Sequence, residues 1–220
     1  MLRTVLDRLA AAYGSQEWWP ARDRFEMMAG ALLVQRTTWR NAAAALIALR
    51  RAGALSPQTL ARLPIAELEP LVRPAGTFRM KAARLQAMAR WYVDSGGWKH
   101  LAARSTPELR AELLALSGIG AETADDILVY AFERPVFVVD AYARRILSRY
   151  GWAEEDEPYA RLSETVAHAI GRDAALLGEF HALLVEHGKR HCRATPRCGG
   201  CPLAVQCRTG MQAAADDAEP

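Results

Sequence analysis

The 220-residue sequence contains no long hydrophobic run. A membrane-spanning helix needs about 18 or more consecutive apolar residues, so we expect none here. The opening residues, MLRTVLDRLAAAYG, carry Asp7 and Arg8 inside an amphipathic pattern, which indicates a helix rather than a signal peptide. The sequence therefore predicts an intracellular protein with no membrane partner.

Alternation of apolar and polar residues, the mark of a β-strand, is also scarce. The one exception is a short apolar run at residues 135–139. Helical periodicity dominates instead, with short connections, so the predicted fold class is all-α. The predicted helices span about residues 2–13, 24–36, 38–51, 56–62, 65–71, 79–94, 107–115, 122–132, 142–150, 158–171 and 174–190.

Charge of one sign is not strongly in excess, since the formal net charge is only +3. Binding to nucleic acid would therefore depend on local basic patches. One patch has no acidic residue and runs from Lys189 to Arg208, and a second spans residues 73–84. The tail from residue 208, with Asp216, Asp217 and Glu219 after an alanine run, is expected to be disordered.

Cysteine is rare, and its four copies form one pattern, C-x5-C-x2-C-x5-C, at Cys192, Cys198, Cys201 and Cys207. Four thiolates this close together can surround one metal centre. Disulfides are disfavoured because cytosolic thiols stay reduced. Zinc and a [4Fe–4S] cluster both accept four cysteines, and spacing alone does not choose between them.

The most informative segment is LSGIGAETADDILVYAFERPVFVVD, which ends at Asp140. Gly118 and Gly120 bracket Ile119, which predicts a tight turn with positive φ and a close approach to another molecule. A helix starting after such a turn exposes unpaired N–H groups, which favour a phosphate. Asp140 stands where it can cap the next helix, and it is a candidate catalytic carboxylate.

This segment resembles the helix-hairpin-helix and the Gly/Pro-Asp loop of the endonuclease III (HhH-GPD) superfamily of DNA glycosylases, over roughly residues 16–208. The resemblance implies two helical domains, 20–132 and 1–19 with 133–220, flanking a DNA-binding cleft that holds an everted base. It implies that Asp140 is the catalytic aspartate. It also implies that the hairpin Gly118–Ile119–Gly120 binds the DNA backbone, with a monovalent cation held by hairpin carbonyls.

The cysteine pattern after HGK resembles the iron–sulfur loop of the same superfamily, which implies a [4Fe–4S] cluster on the four cysteines. The family usually has six residues between the first two cysteines, and this chain has five. The cluster would hold Lys189, Arg190, Arg193 and Arg197 against phosphates. We expect His187 to pack against this loop, and we expect no separate metal site among His181, His187 and His191.

Bifunctional members of the superfamily place a Schiff-base lysine in the helix after the hairpin, and the matching residue here is Glu122. A carboxylate forms no imine, so the sequence predicts a monofunctional glycosylase with weak or absent AP-lyase activity. Water would be the nucleophile. Asp140 would stabilise the developing oxocarbenium ion and orient or deprotonate that water.

Glu17-Trp18-Trp19-Pro20 together with GALLVQRTTWRN is similar to the 3-methyladenine DNA glycosylase III branch. The similarity implies a base pocket walled by Trp18, Trp19, Pro20 and Trp39, suited to a cationic alkylated base. Gln35 matches the residue that fills the gap left by the everted nucleotide. Two further cationic side chains, those of Arg79 and Lys81, are predicted to bind DNA phosphates.

The predicted function is therefore a base-excision-repair DNA glycosylase that acts on double-stranded DNA with a damaged, alkylated base. The first alternative is an endonuclease III-type oxidised-pyrimidine glycosylase with AP-lyase activity, and the second is a non-catalytic DNA-damage-binding protein. We expect a cytoplasmic, nucleoid-associated monomer.

Overall fold

The computed structural model describes residues 2–216, without the side chain of Asp216; Asp217 and Glu219 of the acidic tail lie outside it. Within the described range there is no β-strand, which confirms the all-α prediction. The helices are α1 (Leu2–Tyr13), α2 (Arg24–Leu33), α3 (Trp39–Arg51), α4 (Pro57–Arg62), α5 (Ile65–Val72), α6 (Phe78–Asp94), α7 (Trp98–Ala102), α8 (Thr106–Ala115), α9 (Ala121–Asp126), α10 (Ala141–Tyr150), α11 (Tyr159–Ile170), α12 (Ala174–Arg190) and α13 (Arg208–Asp216). None of the helices in residues 2–216 has both the length and the apolar character that a membrane span requires.

The chain folds into two compact units. The hairpin unit is Trp19–Glu133, and the aspartate unit is Met1–Trp18 with Arg134–Pro220. In the hairpin unit, every residue of α2 after Arg24 is buried, so this helix is the centre of the unit's core. The core of the aspartate unit is built from α1, α10, α11 and α12.

The apolar run before Asp140 is an extended, buried segment of the aspartate unit. Phe137, Val138 and Val139 are all buried. Ser163 of α11 donates its hydroxyl proton to the Phe137 carbonyl at 2.6 Å. Because this segment is packed and hydrogen-bonded, it fixes the point at which α10 starts.

Helix α2 ends three residues before the predicted boundary, because Arg36 has φ +54°, outside the helical region. The predicted helix 122–132 is divided: α9 continues into a π-helical turn, Ile127–Ala131. Two short 3-10 turns, Arg73–Ala75 and Ala204–Gln206, complete the described helical elements.

The expectation of a disordered tail from residue 208 is wrong for residues 208–216, which form α13. Two contacts with α10 hold this helix in place. Arg208 donates a hydrogen bond to the Ser148 carbonyl at 3.2 Å, and the Thr209 hydroxyl donates to the Arg149 carbonyl at 3.2 Å. The alanine run then continues as helix because alanine has the highest helix propensity.

Candidate active site

Asp140 is the N-cap of α10. Its backbone is extended, with φ −79° and ψ 177°, and its Oδ1 accepts a hydrogen bond from the Ala143 N–H at 2.6 Å. This bond satisfies one of the four N–H groups that a helix start leaves without an intrahelical partner. The carboxylate is therefore held by its own helix through one oxygen.

The second carboxylate oxygen of Asp140 faces a histidine. Asp140 Oδ2 lies 3.7 Å from His181 Nε2, and the two side chains are 14% and 5% exposed. That distance is too long for a hydrogen bond but short enough for an electrostatic interaction. Sequence alone does not place His181 at this site, because α12 meets α10 only through long-range packing.

The helix-hairpin-helix consists of α8, a turn and α9. Gly118 has φ +82°, and an added Cβ there would lie only 2.1 Å from Arg84 Nε. Gly120 differs from the prediction: its φ is −93° and its ψ is −178°, a conformation open to any residue. An added Cβ at Gly120 would meet nothing within 4 Å, and no side chain caps α9. Ile119, between them, is buried.

Glu122 lies in the first turn of α9 with an exposed side chain. This position is favourable for a carboxylate because the helix dipole is positive at this end.

Gln35 belongs to the turn after α2 and is hydrogen-bonded to the hairpin. Its Nε2 donates to the Gly118 carbonyl and to Thr123 Oγ1, each at 2.9 Å.

Lys81 is not a phosphate-binding residue, and this prediction is corrected. Its side chain is buried, and Nζ donates to the carbonyls of Leu33, Gln35 and Ala75 at 2.8, 2.9 and 2.7 Å. An ammonium group has three N–H donors, so none is left for a phosphate. Arg79, on the same helix, has a side chain that is 83% exposed and keeps the predicted surface position.

Of the four predicted pocket residues, the structure brings Trp19 and Trp39 together. Their rings meet edge to face with centroids 5.4 Å apart. Tyr130, which was not predicted, lies 5.8 Å from Trp19, and it is the only residue of 123–132 that is not buried. An added Cβ at Gly30 would lie 3.0 Å from Trp19 Nε1, so this glycine in α2 lets the indole pack closely.

The other two predicted pocket residues have surroundings of their own. Trp18 belongs to the aspartate unit, where the Lys189 ammonium lies 5.3 Å from its ring centroid. Pro20 is exposed. Arg193 is also exposed, and its Nε donates to the Lys189 carbonyl at 2.7 Å, which brings these two predicted phosphate-binding cations together.

The four cysteines line one pocket, whose empty volume is about 370 Å³ with the open solvent at its mouth included. Two arginines of α10 hold the loop: Arg145 donates to the Cys192 carbonyl at 2.8 Å, and Arg149 donates to the Ala194 carbonyl at 2.7 Å. His187 packs against the loop as expected, with Nε2 3.8 Å from Cys201 Sγ. Burial, reinforced by His191, lowers the pKa of His187 to about 4.

The donor chemistry of this cavity fits a thiophilic metal centre. Burial raises the pKa of the Cys201 thiol, and binding a metal would convert that thiol to a thiolate with release of its proton. Within residues 2–216, no three Cys, His, Asp or Glu side chains are already arranged as a ligand set.

Comparison with known proteins identifies the family. The model of the HhH-GPD superfamily of base excision DNA repair proteins matches residues 29–171. The chain is 38% identical over 210 residues to the "Putative DNA repair glycosylase" of Methanocaldococcus jannaschii, covering 94% of this chain and 96% of that protein. It is 31% identical to the endonuclease III of Thermotoga maritima, covering 84% and 83% of the two chains.

Solved structures are similar as well. A non-covalent endonuclease III–DNA complex matches with a TM-score of 0.80 and 25% identity, over 97% of each chain. The H. pylori 3-methyladenine DNA glycosylase MagIII, bound to 1,N6-ethenoadenine, matches with a TM-score of 0.72 and 28% identity, over 86% of this chain and 96% of that one.

The chain therefore belongs to the HhH-GPD superfamily of base excision DNA repair proteins. Its fold is that of endonuclease III, and it is a DNA glycosylase, an enzyme that acts on DNA.

Proposed function

We propose that the protein is a monofunctional DNA glycosylase that hydrolyses the N-glycosidic bond of a cationic, alkylated base in duplex DNA. The observation that carries this proposal is the pair of acidic residues at two helix starts. Asp140 keeps one oxygen free of a helix hydrogen bond, and Glu122 stands where a bifunctional enzyme needs an amine.

In the proposed reaction, the bond between the sugar C1′ and the base nitrogen breaks, and its electron pair leaves with the base. The Asp140 carboxylate stabilises the positive charge that develops on the sugar. A water molecule then bonds to C1′ and gives its proton to Asp140, which acts as general base. A cationic base is a good leaving group, so one carboxylate is sufficient.

The scarcity of lysine supports a monofunctional enzyme. The whole sequence contains three lysines, Lys81, Lys99 and Lys189. Lys81 has all three N–H donors engaged by carbonyls. None of the three lies in α9, the helix that follows the hairpin.

The aromatic side chains Trp19, Trp39 and Tyr130 support a cationic substrate, because electron-rich rings attract cations by about 1–2 kcal/mol when water is excluded. The similarity to a 3-methyladenine DNA glycosylase points to the same class of base. The Lys189 ammonium lies over Trp18, so the proposal assigns base stacking to Trp19 and Trp39 in preference to Trp18 and Pro20.

The proposed DNA contacts come from both units. The hairpin residues Gly118–Ile119–Gly120 and the exposed Arg79 would bind the backbone, with a monovalent cation on hairpin carbonyls and Gln35 in the gap left by the base. Lys189 and Arg193 would bind phosphates next to the cysteine loop. The protein would act as a monomer associated with the nucleoid.

Cys192, Cys198, Cys201 and Cys207 would hold a [4Fe–4S] cluster. When bound, the cluster supplies iron–thiolate bonds that fix the loop bearing Arg193. Purified protein should be brown, absorb at roughly 400 nm and contain about four irons per chain. A colourless protein with one zinc would overturn the assignment.

Base release is the experiment that tests the function. Duplexes carrying methylated, deaminated and oxidised bases are incubated with the wild type and with Asp140→Asn, and released bases are quantified. The proposal expects the fastest release from the methylated duplex and release about 10³-fold slower with the variant. If oxidised pyrimidines are released first, the alkylated-base assignment is wrong.

The alternative, an endonuclease III-type oxidised-pyrimidine glycosylase with AP-lyase activity, is favoured by the likeness to the endonuclease III–DNA complex. Borohydride trapping separates the two: wild type should give no covalent adduct with DNA, and Glu122→Lys should gain one. A strong wild-type adduct would favour the alternative. If no duplex loses a base but damaged DNA is still bound preferentially, the second alternative, a non-catalytic DNA-damage-binding protein, gains support.

A further inference from the structure

Lys81 joins two turns of the hairpin unit that are far apart in sequence. From α6, its buried ammonium reaches the carbonyls of Leu33 and Gln35 after α2, and that of Ala75 before α6. The three distances lie between 2.7 and 2.9 Å, so each is a full hydrogen bond. Burying a charged group is costly unless it is fully satisfied, and these carbonyls satisfy it.

Each of these turns contains a non-glycine residue with left-handed backbone. Arg36 has φ +54° and Thr77 has φ +43°. Such residues are strained, and they persist where the surrounding structure fixes the backbone. Lys81 binds the carbonyl immediately before Arg36 and the carbonyl two residues before Thr77, so it is the group positioned to fix both turns.

The turn after α2 is also tied to the hairpin, through the side chain of Gln35. Gln35 Nε2 donates to the Gly118 carbonyl and to Thr123 Oγ1, while Lys81 holds the Gln35 carbonyl. One turn of helix beyond Lys81, Arg84 packs against Gly118. The turn after α2, the turn before α6 and the hairpin are therefore connected by one network of contacts.

We propose that Lys81 is a positioning residue for base eversion: it fixes the Gln35 turn and the turn at residues 75–77 as one rigid surface, although it touches no DNA itself. The inference rests on the proposed function only in assigning Gln35 to the gap left by the everted nucleotide. A phosphate-binding lysine would contribute to affinity for any duplex, whereas Lys81 contributes only where a nucleotide leaves the stack.

The first measurement uses the DNA-free protein. Amide exchange is followed at Thr37 and Gly76, whose N–H groups are hydrogen-bonded inside the two turns. Lys81→Met removes all three bonds, and Lys81→Gln keeps part of the donor capacity in case the methionine variant folds poorly. In both variants, the hydrogen-exchange rates of the Thr37 and Gly76 amides should rise at least about tenfold. The exchange rate of the Leu60 amide in α4 should not change. Unchanged exchange at Thr37 and Gly76 would overturn the proposal.

The second measurement separates positioning from phosphate binding. Arg79→Met is the matched control, because it removes one exposed cation from the same helix. On undamaged duplex, Arg79→Met should weaken binding and reduce the salt slope by about 1, whereas the Lys81 variants should leave both unchanged. The second duplex carries 2-aminopurine beside a tetrahydrofuran abasic analogue. On it, the fluorescence increase that reports unstacking should be at least about fivefold smaller with the Lys81 variants than with wild type.

The outcomes are distinguishable. If the Lys81 variants reduce the salt slope as Arg79→Met does, Lys81 binds phosphate and the proposal fails. If wild type unstacks 2-aminopurine and the Lys81 variants do so equally well, the positioning role is wrong. If wild type itself gives no unstacking signal at the abasic analogue, the assignment of Gln35 within the proposed function fails, and amide exchange still reports whether Lys81 fixes the turns.

Discussion

Helices α9 and α10 start in opposite ways. α10 is capped by a side chain, since the Asp140 carboxylate accepts the Ala143 N–H. α9 starts at Gly120, which has no side chain, and no side-chain hydrogen bond caps it. A helix start carries partial positive charge and unpaired N–H groups in either case. One start is thus capped by the side chain of its own N-cap residue, whereas the other has an N-cap residue without a side chain.

This difference matches the two tasks of a glycosylase. The enzyme needs one carboxylate held firmly in one orientation, and capping α10 achieves this by fixing Oδ1 while Oδ2 faces His181. The proposal also needs a place where a phosphate can approach the backbone, and we assign that place to Gly120, where a Cβ would contact nothing within 4 Å. In the proposed mechanism, the capped start of α10 would serve catalysis and the uncapped start of α9 would serve DNA binding.

The largest effect is expected from Asp140→Asn. Asparagine caps a helix as well as aspartate does, so stability should change by less than about 0.5 kcal/mol. The negative charge is lost, and base release should fall by about 10³-fold because the oxocarbenium ion is no longer stabilised. Single-turnover release from a methylated duplex measures the rate, and thermal unfolding measures stability.

Asp140→Ala is the paired control, because it removes both the cap and the charge. It should release base as slowly as the asparagine variant and lose about 1 kcal/mol of stability as well. If Asp140→Asn keeps the wild-type rate, the carboxylate is only a cap, and the comparison between the two helix starts loses its catalytic half.

The features that sequence predicts well here are local ones. The capping role of Asp140 follows from an apolar run that ends at a helix start, and the turn at Gly118 follows from the glycine itself. The four cysteines share one cavity because sixteen residues of chain cannot separate them far. In each of these cases the interacting groups lie within a few turns of one another along the chain.

The features that sequence misses depend on distant partners. From sequence alone, Lys81 is interpreted as a surface cation. In the structure, α6 packs beside residues 33–35, more than forty positions away, and the ammonium group is buried there. His181 meets Asp140 only when α12 packs on α10. Tyr130 stays partly exposed within a buried run, where the π-helical turn changes the register that a regular helix would give. None of these leaves a periodic signal in the sequence.

A smaller effect is expected when the open helix start is closed. Gly120 has an ordinary extended backbone, so Gly120→Asp should fold and gain a few tenths of a kcal/mol from the new cap. Its carboxylate would then occupy the position proposed for phosphate, and duplex affinity should fall roughly tenfold, equivalent to about 1.4 kcal/mol. Fluorescence anisotropy at two salt concentrations measures this loss.

Gly120→Asn separates charge from shape. It adds the same cap without the negative charge, so its affinity should fall by only about threefold. If Asp and Asn weaken binding equally, the effect is steric rather than electrostatic. If neither weakens it, the α9 start does not contact the DNA backbone.

The smallest effect concerns the histidine beside Asp140. His181→Leu places an apolar side chain next to Phe137 and removes the polar atom that lies 3.7 Å from Oδ2. A single polar partner is worth about 1 kcal/mol, so kcat should fall by roughly five- to tenfold. KM should not change, because His181 is buried and makes no proposed contact with DNA. Steady-state kinetics on a methylated duplex separates the two constants.

His181→Gln decides whether this loss reflects positioning or packing. The glutamine amide nitrogen can occupy the place of Nε2, so this variant should recover kcat to within about threefold of the wild type. A packing role predicts the opposite order, because glutamine fits an apolar site less well than leucine does. Recovery with glutamine would mean that Asp140 is held from both sides, by the N–H of its own helix at one oxygen and by α12 at the other.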